Sequence, residues 1–251
     1  MMFYYRKKGS RAWRPALEFP PVSEADRHGL LCFGGAYDAD LFCRAYAEGI
    51  FPWPDCETEH DQGPFYEIPW FSPDPRFVLY PESLHISHSL RKTLKHGKFS
   101  ICADRDFEGV IRGCATMDRG VSGGWLTTGL QRTLIELHRR GVAHSVESYC
   151  DGVLAGGFYG LMLGRVFVGE SMFTRVPDAS KAALATFVKR AAAFGIDMID
   201  CEDHTANLER FGATFIPRDQ YIAYLHAHLD FQVSQELWSG SWEDAPYPEQ
   251  G

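Results

Sequence analysis

The chain has 251 residues, 45% hydrophobic and 14% aromatic, enough apolar matter for one large core or two modest ones, so a disordered or fibrous protein is excluded. A net charge of −8 excludes nucleic-acid binding through the overall field and leaves only a local basic face for that purpose. No apolar run reaches the ~20 residues of a membrane-spanning helix, and the basic N-terminus lacks the apolar core of a signal peptide. The seven cysteines are scattered without a CxxC pair, a pattern that fits reduced thiols in a cytoplasm better than a disulfide framework or a zinc cluster.

In chain order, residues 1–20 read as an irregular lead-in. Gly29 to Gly35 is a short apolar run, and Asp38 or Asp40 caps a helix with Leu41, Phe42, Ala45 and Tyr46 as its inner stripe. Ile50 to Trp53 is extended, residues 54–68 are acidic and irregular, and Trp70 to Pro75 is stiff and turn-rich. A domain boundary is expected near residue 76, giving a small N-terminal domain (1–76) and a larger one (77–251). Phe77 to Tyr80 starts a strand. The following Ser87–Lys98 segment is the main cationic concentration, a helix with Leu90 and Leu94 inward and His88, Lys92 and Lys95 outward. That face is either simply solvated or a phosphate contact.

Phe99 to Ala103 is a strand, Asp106 to Gly113 a short helix, and Gly129 to Arg140 a helix with Leu130, Leu134 and Leu137 inside. An antiparallel meander follows: Ala143 to Cys150, an Asp151-Gly152 turn, Val153 to Tyr159, then a hairpin near Gly164 and a returning strand. Asp178 or Ser180 caps a long helix that Gly195 closes. Met198 to Glu202 is a buried-type strand, Thr205 to Arg210 a short helix, Ala213 to Ile216 a strand and Tyr221 to His228 a last helix. The class is mixed α/β (α+β).

Alternation on the returning strand puts Phe167, Gly169, Ser171 and Phe173 on one face and Val166, Val168, Glu170 and Met172 on the other. Glu170 is therefore a carboxylate in an apolar row, and such a group needs a cationic or hydrogen-bonding partner. Two readings are open at this point: a structural ion pair, or a seat for a positively charged substrate group. No P-loop, GxSxG elbow or HExxH motif occurs. His138 with His144, or His85 with His88, has no matching second set for a metal, so core or surface histidines are expected.

Several stretches together carry a resemblance: Gly49-Ile50-Phe51-Pro52-Trp53, Trp70-Phe71-Ser72-Pro73-Asp74-Pro75-Arg76, Pro81 to Ser87, Gly156-Gly157-Phe158-Tyr159-Gly160, Val168 to Phe173 and Ala179-Ser180-Lys181. In this order they resemble the leucyl/phenylalanyl-tRNA–protein transferases, from about Phe19 to His228. The resemblance implies an enzyme that moves Leu or Phe from aminoacyl-tRNA to the N-terminus of a protein beginning with Arg or Lys, creating a degradation signal. It also implies an acetyltransferase-like (GNAT) fold for the larger domain, no metal or other cofactor, and a monomer in the cytoplasm.

By family position, Asp200 and Glu202 are the catalytic pair and Glu170 binds the acceptor's basic side chain. Phe158, Phe167, Met172, Phe187 and Ile199 wall the aminoacyl pocket, Trp53, Trp125 and Tyr46 flank the terminal adenosine, and His88, Lys92 and Lys95 contact tRNA. The chain departs from the pattern at Glu202, where the family usually has glutamine, in a shorter following segment, and at Leu134. Two residues apart on a strand, Asp200 and Glu202 are expected to face each other at roughly 6–7 Å, close enough to raise the pKa of one. The competing readings are a GNAT acyltransferase of altered specificity, using acyl-CoA, and a non-catalytic binder of basic N-termini or RNA.

Overall fold

The computed structural model describes residues 1–10, 12–53, 68–117, 126–239 and 242. Its first sheet contains β1 (Phe3–Arg6), β2 (Trp13–Ala16), β3 (Leu30–Gly34), β4 (Phe51–Pro52) and β5 (Pro69–Phe71), in the order β2-β1-β3-β5-β4. The expected irregular lead-in is thus a hairpin, β1 pairing with β2 on one side and β3 on the other. Its strands are too short for a clear alternation, and Pro15 masks β2. An edge strand tolerates the missing N–H of proline because it pairs on one side only. Between β3 and β4 runs α1 (Ala39–Ala47), where the Asp38 carboxylate accepts the Leu41 N–H at 2.8 Å and caps the first turn.

The second sheet contains β6 (Arg76–Leu79), β7 (Ser100–Ala103), β8 (Ala143–Cys150), β9 (Val153–Leu163), β10 (Val166–Thr174), β11 (Met198–Asp200) and β12 (Thr214–Ile216). Their order is β12-β6-β11-β10-β9-β8-β7. The meander β8-β9-β10 is antiparallel as expected, with turns at Asp151-Gly152 and Gly164. The β10–β11 pair is parallel, which requires a crossover. That crossover is α5 (Ala179–Ala193). The remaining helices are α2 (His88–Lys95), α3 (Phe107–Ala115), α4 (Thr128–Arg139), α6 (Ala206–Arg210) and α7 (Arg218–His228). Among the described residues no helix is long and apolar enough to cross a membrane.

Alternation along the strands feeds two apolar clusters, one on each face of this sheet. Val78, Tyr159, Val166, Val168 and Met198 join α1, α3, α4 and α7 in one cluster, which runs on into the first sheet through Phe51, Trp70 and Phe71. Phe77, Leu79, Phe158, Phe167 and Ile199 join α2, α5, Trp238 and Trp242 in the other. The mixed α/β class read from the sequence is the class observed.

Candidate functional site

The site lies where β10 loses its neighbour. β10 and β11 pair from Val166–Met198 through Phe167–Ile199 to Val168–Asp200, and there β11 ends while β10 continues to Thr174. The expected strand over Met198 to Glu202 therefore stops two residues early. Glu202 takes a left-handed backbone, with φ of +60°, a conformation that residues other than Gly adopt at a cost. It turns the chain away from the sheet toward Thr205, which caps α6 through the Leu208 N–H.

A cavity of about 310 Å³ fills the gap so opened. Phe158, Phe167, Met172, Leu184, Ile199 and Leu208 line it, with Glu170, Ser171, Asp200, Cys201, Thr205 and Asn207 as its polar or small members. Phe167 and Met172 both line it although simple alternation places them on opposite faces. A β-bulge explains this: Gly169 pairs with Gly160 and Ser171 with Tyr159, so Glu170 is the extra residue and the faces exchange beyond it. Phe173 accordingly packs with Val166 and Val168, not with Phe167.

Asp200 has no exposed surface, and Arg76 is 1% exposed. Arg76 Nε donates to Asp200 Oδ1 at 2.8 Å and Nη2 to Oδ2 at 2.6 Å. The Tyr221 hydroxyl donates to Oδ2 at 2.7 Å, and the Glu202 N–H to Oδ1 at 2.9 Å. Each carboxylate oxygen thus takes two donors, which fills its lone pairs. The guanidinium lies between the rings of Phe51 and Tyr221, 4.7 and 4.8 Å from their centroids. Asp200 borders the cavity as the keystone of a buried network, with no lone pair left to receive a proton from a substrate.

The expected confrontation of Asp200 with Glu202 does not occur, because Glu202 is off the strand. Its carboxyl group instead forms a hydrogen bond with that of Glu170. As residues both are half-buried, but their carboxyl ends are enclosed. The Tyr46 hydroxyl donates to Glu170 Oε1 at 2.5 Å. Burial pushes Glu170 up to about 7 against the donors Tyr46 and Glu202. Burial, and then the Glu170 charge, push Glu202 well above the usual carboxylate range. Two carboxyl groups can share a hydrogen bond only if one is protonated, and the upward shift of both favours a proton held between them.

Other expected site residues are placed as follows. Phe187 is fully buried behind the wall, 4.6 Å from Phe167 and 5.4 Å from Phe158 between ring centroids, and does not line the cavity. Tyr46 is 1% exposed and offers no face on which a base could stack, so its expected place beside the adenosine is replaced by its hold on Glu170. Trp53 is half-buried against Phe51 and Phe71. Trp125 and the acidic stretch 54–67 lie outside the described residues. His88, Lys92 and Lys95 are exposed on α2, whose first turn Ser87 caps. His144 is a core residue, bonded to Asp104 and stacked on Trp238, and His138 stacks on Phe107.

Sequence reasoning missed Arg76, Tyr221, Leu184 and Leu208. Of these only Arg76 had a signal: a buried carboxylate calls for a cation, and an arginine closes one of the motifs quoted above.

An apolar cavity with the Glu170 carboxyl group in its lining has the shape and chemistry to hold an apolar group beside a cationic one. Among known proteins, the leucyl/phenylalanyl-tRNA protein transferase family model matches residues 78–226, and the N-terminal domain model of the same family matches residues 35–74. A leucyl/phenylalanyl-tRNA–protein transferase from Laribacter hongkongensis is 44% identical over 91% of this chain and 95% of its own. One from Pseudomonas syringae pv. syringae is 45% identical over 90% and 96%. The chain belongs to the leucyl/phenylalanyl-tRNA–protein transferase family. A GCN5-related N-acetyltransferase from Kribbella flavida overlaps 58% of the chain, and 54% of its own, with a TM-score of 0.32 and 14% identity.

Proposed function

We propose that this protein transfers a leucyl or phenylalanyl group from aminoacyl-tRNA to the α-amine of proteins beginning with Arg or Lys, marking them for degradation. It works as a cytoplasmic monomer of two units, residues 1–76 and 77–251. The observation that carries this reading is the apolar cavity with Glu170 in its lining. One compartment takes an uncharged aminoacyl side chain, and the carboxylate beside it takes the acceptor's cation.

The chemistry asks little of the protein. The donor is an activated ester, and the nucleophile is an α-amine of pKa ~7.7–8.0, so part of it is neutral at cellular pH. The amine nitrogen attacks the ester carbonyl, the bond to the tRNA ribose breaks, an amide forms and a proton leaves. Holding the reactants together supplies most of the rate. Phe158, Phe167, Met172 and Ile199 hold the aminoacyl side chain, with Phe187 stiffening the wall from behind. Glu170 binds the acceptor side chain, oriented by Tyr46. Asp200 is a positioning residue, fixing Arg76, Tyr221 and the turn that delivers Glu202. Trp53 and Trp125 flank the adenosine, and His88, Lys92 and Lys95 meet tRNA phosphates.

The test incubates the protein with charged tRNA-Leu or tRNA-Phe and a peptide beginning in Arg or Lys. A peptide lengthened by one residue supports the reading. No product with any charged tRNA, or equal product with a peptide beginning in Glu, overturns it.

A further inference from the structure

The chain beyond α7 returns to the back of the aminoacyl cavity. It forms a 3₁₀ turn, Gln235–Trp238, where the Ser234 hydroxyl accepts the Glu236 N–H. Arg190 on α5 donates from Nη2 to the Glu236 carbonyl at 3.2 Å and ties that turn down. Further on, the Trp242 N–H donates to the Ile101 carbonyl on β7 at 2.9 Å, and the Arg190 guanidinium lies 5.1 Å from the Trp242 ring. Both tryptophans are buried, in the same apolar cluster that holds Phe158, Phe167 and Ile199 of the cavity wall.

Trp238 is joined to that wall ring by ring. Its centroid is 6.0 Å from Phe167, which lines the cavity. It is 5.8 Å from Phe187, which stacks on it and backs both Phe158 and Phe167. Trp238 also stacks on the His144 imidazole of β8, at 3.8 Å and 7°. That imidazole is pinned by Asp104 Oδ2 at 2.6 Å and by the Gly141 carbonyl at 3.2 Å. The indole therefore has a fixed platform on His144 and passes its bulk to Phe167 and Phe187. Close-packed interiors keep such rings in place, and a void opened behind them lets the neighbours move part of the way into it.

Resting on the transferase reading above, we infer that Trp238 is a specificity-determining residue for the donor. It is a positioning residue: it touches no substrate, but it sets how far Phe167 stands into the cavity and so how large an aminoacyl side chain fits. With Trp238 in place Phe167 is held forward, which suits the smaller leucyl group. Without it Phe167 has room to draw back, and a phenylalanyl group gains relative to a leucyl group.

Transfer assays on the full chain test this, with Leu- and Phe-charged tRNA and a peptide beginning in Arg, for wild type, Trp238→Leu and Trp238→Phe. In Trp238→Leu the ratio of kcat/KM for Phe over Leu is expected to rise about tenfold, the scale of one methylene in an apolar pocket. Trp238→Phe keeps a ring against His144 and is expected to fall between that variant and wild type. Partial unfolding lowers both rates alike and cancels in the ratio, so a purely structural role would leave the ratio unmoved, and whichever variant folds decides. The acceptor KM is expected to stay where it is, because Glu170 is bonded to none of these rings. A wild type that transfers both groups, with the same ratio in every variant that folds, refutes the inference and leaves the transferase reading standing. A wild type that transfers neither sinks both.

Discussion

Replacing Asp200 with Asn leaves the shape of the buried network almost unchanged and removes its negative charge. Arg76, 1% exposed, then keeps its full charge with no anion bonded to it, and the amide NH₂ turns a donor toward groups that are themselves donors. Breaking one partner of a buried ion pair costs roughly 3–5 kcal/mol, a large part of the ~5–15 kcal/mol that holds a typical domain together. At ~2–4 °C per kcal/mol for a chain of this size class, the expected drop in Tm is about 6–20 °C. Urea unfolding followed by circular dichroism measures the loss for Asp200→Asn, Arg76→Met and the double variant. The double variant is expected to cost clearly less than the sum of the singles, because it leaves no orphaned charge. An Asp200→Asn variant within 1 kcal/mol of wild type, or strict additivity in the double, refutes the keystone role. In either case Asp200 must be credited with a more direct part in transfer.

Three further outcomes are expected. Met172→Ala enlarges the cavity beside Phe158 and Phe167, so the ratio of kcat/KM for Phe over Leu should rise by about tenfold or more, the lower end of the range for one methylene; an unchanged ratio places the aminoacyl side chain elsewhere. Lys92→Ala with Lys95→Ala should raise the KM for aminoacyl-tRNA and flatten its salt dependence by about 1.4–1.8 in log–log slope, at ~0.7–0.9 per phosphate contact, with the acceptor KM unmoved; an unaltered salt slope would assign these exposed lysines to solvent. Glu147, held by the Ser145 hydroxyl and the N–H groups of Arg105 and Asp106, is pushed by burial from its ordinary 4.5 to about 7. Between those values the folded protein keeps a proton that the unfolded chain has lost, so stability declines as pH rises through the window. Glu147→Gln should remove about one proton from that slope, amounting to about 3 kcal/mol across it; an identical pH slope in denaturant unfolding contradicts the assignment.

Local signals carried much of the fold because each needs only a few neighbouring residues. Asp38 and Thr205 cap helices, Asp151-Gly152 and Gly164 turn hairpins, and alternation in β8 and β9 sorts residues between the two faces of the sheet. The same logic marked Glu170 as an acid out of place in an apolar row. It failed in β10, where a single extra residue exchanges the faces, because a bulge is fixed by the partner strand and leaves little trace in its own sequence. It failed also at β1 and β2, whose pairing depends on β3 to complete the sheet.

The sequence by itself determined most of the elements, the family and the presence of carboxylates that required partners. Tertiary structure alone decided which partners they have. Arg76 meets Asp200, and Tyr46 meets Glu170, each across 124 residues of chain. Glu202 meets Glu170 instead of Asp200 because β11 ends before reaching it. Periodicity within a segment cannot encode such choices: a buried charge is satisfied by whichever group the packing of distant elements brings within reach, and that is settled only when the whole core closes.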